Sequence, residues 1–137
     1  MSLDRRDFVG IAASSILGAA CASLVTTPVT PEAGKIRLVI RNYPSLDQEG
    51  GTLKIRPNGS DATLYVLAME DGSYSVVSPI CKHQGCTVGI EGLRLVCPCH
   101  GSTYGRDGSV LRGPTQAPLD RFVVEARDGL LIIDYPS

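Results

Sequence analysis

The sequence predicts an all-β domain, an antiparallel β-sandwich or small barrel, on three observations. From residue 35 onward, short runs of β-branched and aromatic residues alternate with polar ones. The dipeptides Asn58-Gly59, Asp71-Gly72, Asp107-Gly108 and Asp128-Gly129 punctuate these runs. Such pairs mark hairpins, because tight β-turns need residues that accept positive φ. No apolar face with a period of about 3.6 residues follows residue 31. The composition agrees: 15 Gly and 9 Pro, with no Trp and two Phe, favour a turn-rich chain over a helical bundle.

In chain order, strands are expected at residues 35–40, 52–56, 63–69, 74–78, 94–97, 122–127 and 130–134. Val66, Leu67, Val76, Val123, Leu131 and Ile133 occupy the apolar positions of these runs and are expected in the core. Tyr65 and Tyr74 flank the Asp71-Gly72 turn and read as packing residues. At 137 residues the chain is long enough for one core and too short for two. A net charge of −1 leaves no overall field to draw it to nucleic acid or anionic lipid. With 43% hydrophobic and 20% charged residues, the composition is that of a globular domain and not a disordered chain.

The N-terminus reads as an address. Arg5-Arg6 precedes Asp7-Phe8, and residues 8–31 carry no charge. A basic start, an apolar stretch and then small residues form an export signal. The paired arginines resemble the twin-arginine type. Residues 8–25 are long enough to span a bilayer, yet only seven of these 18 are Phe, Val, Ile or Leu. Gly18-Ala19-Ala20-Cys21 resembles a degenerate lipoprotein box, and Ala20-Cys21-Ala22 fits a small-residue cleavage site. An uncleaved anchor, a lipidated Cys21 and simple cleavage stand as alternatives. The organisation is therefore a signal or anchor over 1–25, a linker over 26–34 and one domain over 35–137.

The chemistry is concentrated in one window. Cys81, His83, Cys86, Cys97, Cys99 and His100 fall within 20 residues, and only Cys21 among the five cysteines lies elsewhere. They form two loops, Cys81-Lys82-His83-Gln84-Gly85-Cys86 and Cys97-Pro98-Cys99-His100-Gly101-Ser102-Thr103-Tyr104. Spacings this short let each loop present two ligands to one metal atom. Three metal readings compete. A Cys2His2 zinc site suits thiolate and imidazole but leaves two cysteines without a role. A four-cysteine 2Fe–2S site leaves both histidines idle and lacks the plant-type spacing. A mixed Cys/His iron centre with one disulfide uses all six groups, and an exported protein can keep that disulfide oxidised.

The two loops resemble the Rieske iron–sulfur box, C-x-H-x-G-C followed by C-P-C-H-G-S-x-Y. The form is the one with paired extra cysteines, found in respiratory and photosynthetic quinol-oxidising complexes. The resemblance runs roughly from Tyr65 to the C-terminus. It implies a Rieske-type β-fold and one 2Fe–2S cluster, with Cys81 and Cys97 as thiolate ligands and His83 and His100 as imidazole ligands. It further implies a Cys86–Cys99 disulfide, a Ser102 hydroxyl donating to a bridging sulfide and a Tyr104 hydroxyl donating to a ligand cysteine. Residues 113–118, Gly-Pro-Thr-Gln-Ala-Pro, resemble the family's proline loop, which covers a third side of the cluster, here with two extra residues.

Histidine ligation makes the oxidised centre neutral, which places such potentials at about −150 to +300 mV against about −400 mV for plant-type clusters. Imidazoles facing solvent are also expected to couple the electron to protons. The implied function is one-electron transfer on the outer side of a bacterial membrane, from quinol or a partner oxidoreductase to a cytochrome-like acceptor. No nucleophile or substrate pocket is legible, so quinol chemistry needs a partner subunit. Gln84 stands where bc-type subunits usually carry an apolar residue, and the small subunit of arsenite oxidase resembles the same plan. The alternatives are a Rieske-type ferredoxin serving an oxygenase and a zinc-binding module.

Overall fold

The computed structural model describes residues 25–136. The readings of the N-terminus, including the paired arginines, the apolar stretch up to residue 24 and Cys21, lie outside the described residues. The strands are β1 Thr26–Val29, β2 Lys35–Val39, β3 Thr52–Pro57, β4 Leu64–Ala68, β5 Tyr74–Val77 and β6 Gly89–Glu91. They continue with β7 Arg94–Val96, β8 Thr103–Tyr104, β9 Val110–Arg112, β10 Arg121–Phe122, β11 Val124–Arg127 and β12 Leu130–Asp134. They form a five-stranded sheet β1-β3-β4-β5-β10, a three-stranded sheet β11-β12-β2 and a four-stranded sheet β6-β7-β8-β9. All pairings are antiparallel except β1 with β3.

The five-stranded sheet serves two cores at once. Side chains of a strand alternate between its faces. Leu64 and Val66 of β4 join Ile36 and Leu38 of β2 and Leu131 and Ile133 of β12 in one core. Tyr65 and Leu67, on the opposite face, join Val88, Leu95, Tyr104 and Leu119 in the other. Every residue of β4 is therefore buried, and the strand reads as an unbroken apolar run. Each fully buried Leu or Val contributes on the order of 1.5–3 kcal/mol. The second core also holds Cys81 and Cys97, so the hydrophobic packing that makes the sandwich seats the metal-binding loops. Tyr65 and Tyr74 pack as expected, their hydroxyls donating to the carbonyls of Val88 at 2.7 Å and Leu46 at 3.2 Å.

The hairpin dipeptides sit between the expected strands, with distinct geometries. Asp128 and Gly129 both have positive φ, 51° and 76°, and join β11 to β12 in a tight turn. Asp71 and Asp107 instead begin two copies of Asp-Gly-Ser. Asp71 Oδ1 accepts from the Ser73 amide at 2.9 Å, and Asp107 Oδ1 from the Ser109 amide at 3.0 Å. These are Asx turns, in which the carboxylate does the work of a backbone carbonyl.

Three features depart from the sequence reading. Val123 is 70% exposed, not in the core. The chain leaves the five-stranded sheet at Phe122 and enters the three-stranded sheet at Val124, so the single expected strand is two, β10 and β11. Phe122 and Val124 pack inward, and the switch between them turns Val123 out. Within the expected linker, Thr26–Val29 pairs in parallel with β3. Pro28 is tolerated there because an edge strand needs no donor on its free side. The short strands β6, β8 and β9, of two or three residues each, fall below the length at which alternation is legible.

One charge is buried between the sheets. Arg106 follows β8, is 6% exposed, and donates from Nη2 to the carbonyl oxygens of Gly51 at 2.6 Å and Ala68 at 3.3 Å. It fastens the β8–β9 hairpin to the β3–β4 end of the middle sheet.

Candidate metal centre

The two loops close in the same way. In the first, the Cys81 amide donates to the Cys86 carbonyl at 2.7 Å and the Gly85 amide to the Cys81 carbonyl at 2.9 Å. In the second, the Cys97 amide donates to the Ser102 carbonyl at 2.7 Å and the Gly101 amide to the Cys97 carbonyl at 2.9 Å. Each loop thus spans five residues from its leading cysteine and turns back at a glycine four residues on. Gly85 and Gly101 have φ of 74° and 78°, the left-handed region in which a Cβ is strained.

This shared backbone places like groups side by side. Cys81 and Cys97 are free thiols, 1% and 2% exposed, at the base of the loops. His83 and His100 are exposed at the tips, with ring centroids 4.9 Å apart and planes at 89°. Cys86 and Cys99 form a disulfide with a Cα–Cα distance of 6.5 Å, tying one loop to the other. The Cys97 sulfur lies within 4.8 Å of both disulfide sulfurs, so the bridge sits directly beside that thiol. Bonded to each other, Cys86 and Cys99 offer no thiolate, which leaves two thiols and two imidazoles as the candidate ligands.

The surroundings of Cys81 favour negative charge on its sulfur. Burial pushes the Cys81 pKa up, but the Tyr104 hydroxyl, the His83 and Gln84 amides and the Cys97 thiol outweigh it. The net direction is down. The Tyr104 hydroxyl stands 3.2 Å from Cys81 Sγ, and its oxygen accepts from the Lys82 amide at 3.3 Å. Burial pushes the Tyr104 phenol up, and its contact with Cys81 adds in the same sense against the Lys82 amide. Ser102 is fully buried, and its Oγ accepts from the Thr115 amide at 3.1 Å. Among the described residues, no hydrogen bond takes up the Ser102 proton. A buried hydroxyl proton without a protein acceptor is costly and points to an acceptor of another kind.

This donor set fits an iron–sulfur group: soft thiolates, imidazoles, a phenol hydroxyl against sulfur and a buried hydroxyl proton still to be placed. Sequence reasoning named every one of these residues but missed Thr115. Its signal was available, since it is the sole polar β-branched residue of the 113–118 segment. The segment reaches the site through it, and its five other residues are exposed.

An all-β chain with paired thiols beneath paired imidazoles is an iron–sulfur protein of the mixed Cys/His type. The Rieske 2Fe-2S domain family matches residues 38–123, and the chain belongs to that family, whose cofactor is a 2Fe–2S cluster. It is 35% identical to the cytochrome b6-f complex iron-sulfur subunit of Chlorobaculum tepidum, over 77% of this chain and 59% of that subunit. It is 30% identical to the menaquinol:cytochrome c reductase iron-sulfur subunit of Bacillus subtilis, over 96% of this chain and 91% of that one. The chain thus spans less than two thirds of the first relative and nearly all of the second. The cyanobacterial plasma membrane Rieske protein PetC3 of Synechocystis PCC 6803 superposes with a TM-score of 0.56 at 29% identity, covering 66% of this chain and 92% of that protein.

Proposed function

We propose that this chain carries single electrons on the outer side of a bacterial membrane, from quinol or a partner oxidoreductase to a cytochrome-like acceptor. Cys81 and Cys97 would hold one iron of the cluster, and His83 and His100 the other. The bound cluster supplies a one-electron couple that quinol can reduce. The protein's own residues do the rest. The buried thiols sit out of reach of water, while the exposed imidazoles present a contact edge to a partner. The Cys86–Cys99 bridge holds the two loops in register, and Tyr104 and Ser102 donate toward sulfur, which favours the reduced, more negative state.

The observation that carries this reading is the layering of exposed His83 and His100 over buried Cys81 and Cys97. It puts one end of the site at the surface, where a partner would dock. Its relatives, named as subunits of cytochrome b6-f and menaquinol:cytochrome c reductase complexes, support a partner subunit of that kind. Arg5-Arg6 before an uncharged stretch supports export and attachment at the membrane.

The test is a redox titration of the full-length protein followed by low-temperature EPR. The His-ligated Rieske spectrum with a midpoint above about +100 mV is the expected result. The same spectrum near about −100 mV would reject quinol as donor and favour an oxygenase ferredoxin. A colourless protein that binds zinc would overturn the reading altogether.

A further inference from the structure

Thr115 is 4% exposed, and every other residue from 113 to 118 is exposed. A polar side chain turned inward from an exposed loop needs a partner, and Thr115 has two contacts that explain its placement. Its amide donates to Ser102 Oγ at 3.1 Å, across 13 residues of sequence. Its hydroxyl donates to the Ala117 carbonyl at 3.1 Å, closing the loop on itself. The segment is held at its far end by the Leu119 amide, which donates to the Gly108 carbonyl at 2.9 Å.

A serine hydroxyl has one proton and two lone pairs, and its proton is free to rotate. Once the Thr115 amide occupies one lone pair, the proton is confined to the directions that remain, away from the loop. We propose that Thr115 is a positioning residue for the metal centre: its amide sets the direction in which Ser102 donates, and its hydroxyl holds that amide in place. The inference rests on the Rieske reading above, and it concerns a residue that touches Ser102, not the ligands.

Thr115→Val keeps the shape and the amide and removes the hydroxyl that pins the loop. Thr115→Ser keeps the hydroxyl. Each is made in the full-length protein, alone and in a Ser102→Ala background, and the midpoint potential is titrated by EPR at matched iron content. Thr115→Val is expected to lower the one-electron reduction equilibrium about threefold, ~28 mV at ~59 mV per factor of ten. Thr115→Ser is expected to restore it. In the Ser102→Ala background, Thr115→Val is expected to shift nothing further, because coupled residues are non-additive.

An unmoved potential in Thr115→Val overturns the proposal. So does an equal shift in the Ser102→Ala background, which would mean that the effect does not run through Ser102. A Thr115→Ser protein as shifted as Thr115→Val also overturns it. If Thr115→Val does not load iron, Thr115→Ala makes the same comparison without added crowding. A wild-type protein lacking the Rieske spectrum would instead fail the underlying cluster reading, so the two failures are distinguishable.

Discussion

The Tyr104 hydroxyl lies 3.2 Å from the Cys81 sulfur, 23 positions away in the chain, and joins strand β8 to the first of the two cysteine loops. Tyr104 is fully buried on β8, and its ring belongs to the same core as Cys81, so packing sets where the hydroxyl points. Removing that hydroxyl leaves the packing and deletes one donor to sulfur. Tyr104→Phe is therefore expected to retain iron while lowering the midpoint potential by about tenfold in equilibrium constant, ~59 mV for one electron. Ser102→Ala is expected to act in the same direction. EPR-monitored titration checks both, and unchanged potentials in the pair would contradict the donor roles.

The disulfide should matter to stability more than to the electron. Cys86 and Cys99 are 13 residues apart, and closing a loop of that size stabilises by about 3 kcal/mol in the chain-entropy account. Cys86→Ser and Cys99→Ser are each expected to lower the melting temperature and to shed iron faster at ambient temperature. Thermal melts and timed iron assays measure the two effects. Variants that match the wild type in both would remove the structural role of the bridge.

Two glycine substitutions separate crowding from backbone strain. A Cβ at Gly51 would stand 1.5 Å from the Ser45 carbonyl oxygen, where no side chain can relieve the contact. A Cβ at Gly59 meets nothing within 4 Å, but its φ of 83° is unfavourable for alanine. Gly59→Ala is expected to cost about 1–2 kcal/mol. Gly51→Ala is expected to cost about 3 kcal/mol or more, at the upper end for overpacking. Urea denaturation compares them, and an equal cost would mean that the Ser45 turn yields easily.

Asp107 carries the acid sensitivity of one hairpin. The Ser109 hydroxyl and amide hold its carboxyl below the usual aspartate value, with Arg121 adding in the same sense against burial. A depressed pKa in the folded state contributes stability above the unfolded value of about 3.9, and that stability is lost as pH falls through the folded value. Asp107→Asn is expected to be less stable than wild type at neutral pH, with the gap closing as pH drops below about 4. The effect is modest, since the group is partly solvated. Paired melts across that range check it, and a gap independent of pH would assign the loss to geometry instead of charge.

Much of the site was legible because its chemistry is local. Two ligands at one-residue or two-residue spacing, a glycine four residues after each leading cysteine, and an Asp-Gly-Ser turn all act over distances that the chain itself spans. The hairpins were legible for the same reason, although only Asp128-Gly129 has both residues at positive φ. Alternation located β2, β3, β5, β11 and β12 because each has one face in a core, and β4 was legible as an unbroken apolar run because both of its faces are buried. It misplaced Val123, since a strand that changes sheets breaks the alternation at the crossing.

The sequence by itself determined the class of fold, through its turn dipeptides and alternating runs, and the two loops that bear the candidate donors, through residue types at short spacing. The tertiary structure decided what each donor faces. It buried Cys81 and Cys97 while leaving His83 and His100 exposed, joined Cys86 to Cys99, and brought Thr115 onto Ser102. It also enclosed Arg106 between two sheets, with Nε and Nη1 unpartnered among the described residues. These relations depend on which sheets pack and on which face, and burial of apolar surface, which has no direction along the chain, makes that choice.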